Sequence, residues 1–164
     1  MNARAQDIDP AQPIVTARRT VPLDWTDYNG HMNEARYLQA FGDATDRFME
    51  GIGCDADYIA SGGSYFTAET QIRHLDEVHA GTRIEIRTQV LLAEGKKMHL
   101  WHEMFSADRL LATAEHMLIH VSLATRRPSA PSVEIEENLA RIFAGHQSLP
   151  RPDAAGSAVG VRKK

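Results

Sequence analysis

Cysteine is all but missing from this 164-residue chain: Cys54 stands alone, so no internal disulfide and no paired-cysteine metal or redox site can form, and a reducing compartment is implied. Long apolar runs are missing as well. Nowhere do eighteen apolar residues follow one another, and the N-terminus is polar and mixed, so neither a membrane span nor a secretory leader is expected, and the cytoplasm is the expected location. Dense positive charge is missing too: 18 Lys and Arg against 22 Asp and Glu leave a net charge of −4, and the only basic cluster is Arg162-Lys163-Lys164, so no nucleic-acid partner is expected. No Gly-rich phosphate loop joins alternating strands and helices, which argues against a parallel nucleotide-binding sheet. Gly62-Gly63-Ser64 is not the strand-to-helix elbow of a serine hydrolase. Eight histidines raise the question of a metal. Their spacing argues against one: His116 and His120 share a strand face yet lie about 13 Å apart at roughly 3.3 Å per residue, and His99 and His102 point to opposite faces. No metal and no cofactor is expected.

What is present suits one domain. At 43% hydrophobic, the chain can build one core and is too short for a second. Residues 1–13 are polar with two prolines and read as a disordered leader, and 149–164, rich in Pro, Gly and Ala, as a mobile tail, leaving 14–148 as the domain. Val15, Ala17, Val21 and Leu23 alternate as in a half-buried strand. A polar loop follows, Asp24-Trp25-Thr26-Asp27-Tyr28-Asn29-Gly30-His31-Met32, and Asn33 is placed to cap a helix. Tyr37, Leu38, Phe41, Thr45, Phe48, Met49 and Ile52 then recur at spacings of three and four, predicting a helix of about five turns that ends at Gly51 and Gly53. Gly42 in its middle suggests close approach of another backbone. Four further segments alternate at period two, 64–75, 82–93, 97–106 and 110–122, and short links between the later ones predict an antiparallel meander. Residues 133–143 predict a short final helix. One strand, one long helix and four antiparallel strands make an α+β fold in which the helix covers one face of a curved sheet.

The run Asp27-Tyr28-Asn29-Gly30-His31-Met32-Asn33-Glu34-Ala35-Arg36-Tyr37, set between a first strand and a long helix, resembles the signature of the hotdog-fold 4-hydroxybenzoyl-CoA thioesterase-like family, and the likeness extends over residues 15–125. The resemblance implies a five-stranded sheet wrapped around the helix, an acyl-CoA thioester substrate, and subunits paired as a homodimer or a dimer of dimers with active sites at their boundary. It also implies a catalytic carboxylate either in the first loop, where Asp27 stands, or on the helix, where Asp43 and Asp46 are the rivals. Three blocks, residues 24–33, 73–78 and 149–156, are similar to thioesterases that accompany or are fused to L-carnitine dehydrogenase. That likeness implies betainyl-CoA as substrate, carnitine breakdown as context and a functional link to that dehydrogenase.

Thioester hydrolysis needs a nucleophile or an activated water at the carbonyl, and donors where oxyanion charge develops. Asp27 fits as nucleophile or as general base, and its plainer reading is a turn-forming residue. Backbone N–H groups near Asn33 and Glu34, at the positive end of the helix, are the expected oxyanion donors. Gly30 allows a sharp bend or close ligand approach. His31 and Asn33 either orient Asp27 and the substrate or brace the loop. A quaternary ammonium is best held by aromatic faces, for which Trp25, Tyr28, Tyr65, Phe66 and Trp101 are candidates unless they simply fill the core, with Glu69 as counter-charge. Two other readings keep the fold: an enoyl-CoA hydratase using Asp27 and His31, and an acyl-CoA binding module without catalysis.

Overall fold

The computed structural model describes residues 7–157 and 159. Alternation near the start gives β1, Ile14–Thr20, and a short turn at Leu23–Trp25 leads into the loop. The long helix α1 spans Glu34–Ile52, with Asn33 as its cap and Tyr37, Ala40, Phe41, Ala44, Thr45, Phe48 and Ile52 buried along one stripe. After it come α2, Ala56–Ala60, and the strands β2, Gly63–His74, β3, Arg83–Glu94, β4, Lys97–Ser106, and β5, Arg109–Ser122. The two-residue β6, Arg127–Pro128, and the helix α3, Val133–His146, complete the chain. The sheet runs β1-β3-β4-β5-β2, with β6 on β5, and every pairing is antiparallel. This is the expected α+β arrangement. Among the described residues α2 and β6 are unexpected, each too short to establish a period, and β1 stops at Thr20 whereas alternation extends to Leu23, which lies exposed in the turn.

α1 lies across one face of the sheet because its apolar stripe must leave water. The Phe41 ring stands 6.0 Å from that of His102 on β4, and Phe41, Phe48 and Ile52 are at most 1% exposed. Each such side chain contributes roughly 1.5–3 kcal/mol when fully buried. One core gathers at the N-terminal half of α1 around Trp25, Met32, Phe41 and Leu111, and a second lies between its C-terminal half and α3. Among the described residues nothing beyond its own stretch of helix lies within 4 Å of a Cβ built on Gly42, so no close approach of another backbone is seen there. Among the described residues no helix is long and apolar enough to cross a membrane.

The two segments read from composition as unstructured are docked where they are described. Ile8 is buried, Arg141 Nη1 donates to the Ile8 carbonyl at 3.2 Å, and His146 Nε2 donates to that of Gln12 at 3.0 Å. Residues 150–157 lie on the sheet face away from α1. There Ala155 packs on Leu91 and Trp101, and the Gly156 N–H donates to Glu115 Oε1 at 2.8 Å. Backbone carbonyls and single small side chains make these anchors, which composition does not reveal. Residues 1–6 and the Arg162-Lys163-Lys164 cluster lie outside the described residues.

Gly145 on α3 shows how closely the leader sits: a Cβ there would stand 2.4 Å from the Pro10 carbonyl oxygen. Helix propensity alone favours Gly145→Ala by about 1 kcal/mol, but an overlap with backbone costs typically about 1–3 kcal/mol. A net loss of about 1 kcal/mol is therefore expected in urea unfolding, and a gain in stability would show that residues 7–13 are not held there.

Candidate active site

The loop between β1 and α1 is a small antiparallel turn, bridged at Thr26 and Met32. The Asp27 N–H donates to the His31 carbonyl at 2.9 Å, and the Gly30 N–H to the Asp27 carbonyl at 3.0 Å. Gly30 takes φ +78°, and nothing lies within 4 Å of a Cβ built on it. Glycine is favoured there by the backbone angle rather than by lack of room. The Asn29 N–H donates to Asp27 Oδ1 at 2.8 Å, while Oδ2 has no hydrogen bond among the described residues. Met32, 4% exposed, plugs the loop into the core, and its N–H donates to the Val78 carbonyl at 2.6 Å. One carboxylate oxygen is thus held by the turn, and the other is left to the solvent side.

That side is an open cleft of about 460 Å³ lined by Asp27, His31, Glu34, Tyr37, His74 and Glu77 among others. Of the two expected oxyanion donors only one remains. The Asn33 N–H donates to the Trp25 carbonyl at 2.8 Å, and the Ala35 N–H is capped by Asn33 Oδ1 at 2.9 Å. The Glu34 N–H alone in that stretch has no partner among the described residues. Asn33 is therefore a helix cap, and the Glu34 amide, at the positive end of the 19-residue α1, is the donor open to a ligand.

His31 braces the loop from the outside: its Nε2 pairs with Glu77 Oε2 and makes no contact with the Asp27 carboxylate. Glu77 belongs to the link between β2 and β3, which also supplies Asp76 and His79. Beneath it Tyr37 is buried, its ring 4.6 Å from that of His74. Burial, then the charges of Asp76 and Glu77, push the Tyr37 hydroxyl above its ordinary range, so it stays protonated as a donor. Tyr37, His74 and Glu77 line the cleft with no local sequence signal to mark them, and His79 lies outside its lining.

The aromatic wall expected around an ammonium group is not assembled within one chain. Trp25 is 5% exposed in the core, and the Arg19 guanidinium already stacks on its ring at 3.7 Å. Tyr65 is buried, its ring 5.0 Å from that of His120. Trp101 packs under Ala154 and Ala155 on the far face. Phe66 pairs with Ile119 and Glu69 with Met117, and Glu69 lines a separate outer-face cavity with His99, Glu115 and Gly156. Phe66 and Tyr28 are exposed, Tyr28 almost fully.

The rival carboxylates sit elsewhere, in a groove between β1 and the middle of α1. Asp43 is paired with Arg19 Nη1 at 3.1 Å. Desolvation, then the charges of Asp43 and Glu50, raise the Asp46 carboxyl. Mid-helix N–H groups are all bonded within the helix, so neither acid has a free backbone amide beside it to serve as an oxyanion donor. Cys54 is no nucleophile either: burial pushes its thiol up to about 11.

Residues 21–142 match the profile of the thioesterase-like superfamily. The chain is 64% identical over 156 residues to an L-carnitine dehydrogenase/betainyl-CoA thioesterase of Ruegeria pomeroyi, covering 93% of this chain but 32% of that protein, so it spans about a third of that relative's length. It is 37% identical over 154 residues to a betainyl-CoA thioesterase of Pseudomonas aeruginosa, covering 92% of this chain and 97% of that one. Among solved structures, a candidate thioesterase of Pseudomonas putida KT2440 matches with a TM-score of 0.79 at 33% identity, over 93% of this chain and 99% of that chain. A Staphylococcus aureus protein solved in complex with CoA shares the fold, with a TM-score of 0.85 at 22% identity over 92% of this chain and 97% of that one.

Proposed function

Since this chain belongs to the thioesterase-like superfamily, we propose that it hydrolyses the thioester of betainyl-CoA to betaine and free CoA, as a step of carnitine breakdown in the cytoplasm. The observation that carries the chemistry is one cleft shared by Asp27, with an oxygen free, and the first amide of α1. The relatives that carry the substrate reading include one of nearly the same length as this chain.

The thioester carbonyl oxygen accepts from the Glu34 N–H, where negative charge grows as the carbon becomes tetrahedral. Asp27 Oδ2 then acts in one of two ways. It attacks the carbonyl carbon and expels the CoA thiolate, leaving an acyl anhydride that water cleaves. Alternatively it takes a proton from a water molecule, which attacks in its place. Asn29 holds the other oxygen and fixes the carboxylate plane. A hydratase would need His31 beside Asp27, but Glu77 holds that ring.

The ammonium of the betainyl group needs a wall that one chain does not provide. β2 is an outer strand of the sheet, exposed from Phe66 through Thr70, and its open edge is the surface by which a homodimer, or a dimer of dimers, would form. Tyr28, Phe66 and Glu69 are the exposed candidates for that wall, whereas Trp25, Tyr65 and Trp101 are committed to packing. A functional link to L-carnitine dehydrogenase follows from the shared pathway.

A panel of betainyl-, acetyl-, longer acyl- and aryl-CoA thioesters, read by thiol release, tests the assignment. Desolvated cation–aromatic contacts are worth about 2 kcal/mol, so kcat/KM should favour betainyl-CoA over acetyl-CoA by about tenfold or more. Equal rates across the panel would remove the substrate assignment. Loss of an enoyl group without thiol release would replace hydrolysis by hydration, and tight binding without turnover would leave a binding module.

A further inference from the structure

We propose that His31, Glu77 and His79 form a binding site for a divalent cation of the zinc class at the lip of the Asp27 cleft. Spacing along the chain hides this trio, because His31 lies in the loop before α1 and the other two in the link between β2 and β3. The fold brings them together through an antiparallel bridge that sets His31 directly opposite His79. Their rings meet edge to face at 4.9 Å. His31 Nε2 contacts Glu77 Oε2, His79 Nε2 stands 3.8 Å from the same oxygen, and one donor atom from each residue lies within 4.8 Å of the others. Two donors on one tetrahedral zinc, each at about 2.1 Å, are about 3.4 Å apart, so small side-chain rotations seat all three.

The orientation of the His79 ring supplies an independent argument. Its Nδ1 lies 3.1 Å from the Gly30 carbonyl, which can only accept, so Nδ1 is the donor there. Nε2, the nitrogen left over for a ligand, is turned towards Glu77 Oε2. A backbone carbonyl holding the far nitrogen is also the support by which metal-binding imidazoles are oriented. One carboxylate oxygen, Glu77 Oε2, thus stands between the Nε2 atoms of both histidines. Histidine, histidine and carboxylate are the donor set of a borderline cation, and three protein ligands leave a coordination position for water. Because all three side chains are more than a third exposed, the ion has an open entry path.

A bound ion would tie the Asp27 loop to the β2–β3 link, cross-linking the two segments that frame the cleft. The proposal is independent of which thioester the cleft accepts. Its test is titration of Co²⁺ into untagged, chelator-treated protein, followed by visible ligand-field absorption and then by Zn²⁺ displacement. One equivalent per chain is expected, with Zn²⁺ raising the melting temperature of the wild type. His79→Ala and Glu77→Gln, both at exposed positions, should each weaken Co²⁺ binding at least tenfold and abolish the Zn²⁺ thermal shift. His79→Ala should leave metal-free thiol release unchanged. Wild-type protein without a one-equivalent ligand-field band, or either variant binding Co²⁺ as tightly as wild type, would overturn the site.

Discussion

Asp27→Asn is expected to lower kcat for the preferred thioester by about 10²- to 10⁴-fold, roughly 3–5 kcal/mol in the barrier, with KM changed only a few-fold. Asparagine keeps the shape of the side chain, and its amide oxygen can still accept from the Asn29 N–H, which in the wild type reaches Oδ1 at 2.8 Å. The turn and the Glu34 amide therefore stay in place. The lost part is the negative oxygen, which under the proposed mechanism is the nucleophile or base and is required at the transition state rather than in the ground state. Asp27→Ala also removes the acceptor for Asn29, so it should add a rise in KM to a similar fall in kcat. The same Asp-to-Asn change at Asp46 should leave kcat within about threefold, since a mid-helix acid has no free amide beside it to hold an oxyanion. Steady-state thiol release separates the cases. Near-wild-type kcat in Asp27→Asn, together with a collapse in Asp46→Asn, would move the reactive carboxylate onto the helix.

The elements that frame the cleft could be read from sequence because their residues repeat. Phe41, Phe48 and Ile52 recur at helical spacing and are all buried on α1, and strand alternation fixes which residues of β2 through β5 face it. The Asp27 loop was legible through its motif, and Asn33 through its capping position. Alternation also carried a warning about the aromatic wall: Tyr65 and Phe66 are adjacent in β2, so one points into the core and the other away from it. The remainder depended on contacts with no local signature. That the Asn33 amide is spent on Trp25 is a property of how the chain folds back on itself. The grouping of His31 with Glu77 and His79 exists only because two loops pair. Residues 7–13 and 150–157 look unstructured because composition does not register a few carbonyls and two small apolar side chains that happen to meet partners.

Unfolding stability is expected to fall steeply as the pH drops from about 6.5 towards 4, because α1 covers histidines that the fold keeps neutral. His102 is fully buried in a chain of bonds that dictates its tautomer. The Thr45 hydroxyl donates to the Phe41 carbonyl at 3.0 Å, so it accepts from His102 Nε2–H at 3.0 Å. Nδ1 is then the acceptor, and the Thr88 hydroxyl donates to it at 2.8 Å. Burial, then the neighbouring His116, hold His102 well below the ordinary histidine value. Burial lowers His116 to about 4, and it also lowers His120 and His146. The Val90 N–H donates to His146 Nδ1 at 2.9 Å, so a proton there would break a backbone contact. Below the unfolded value near 6.5 the unfolded chain takes up protons that the native state refuses, so stability is complete above that value and declines beneath it, until the native imidazoles titrate in turn. With its native value lowered from 6.5 to about 4, His116 alone accounts for about 3 kcal/mol at the acid end. Among the carboxylates, Glu85 is lowered, chiefly by its Arg87 hydrogen bond, and loses its contribution only below its unfolded value of 4.5. Asp46, raised, works in the opposite direction, so the histidines dominate the window from 6.5 to 5. Urea unfolding across that window should give a slope of about 1.4 kcal/mol per pH unit for each refused proton. His116→Gln should shallow the slope by up to one such proton. A flat profile from pH 7 to 5 would mean that these imidazoles reach water and that α1 does not seal the sheet.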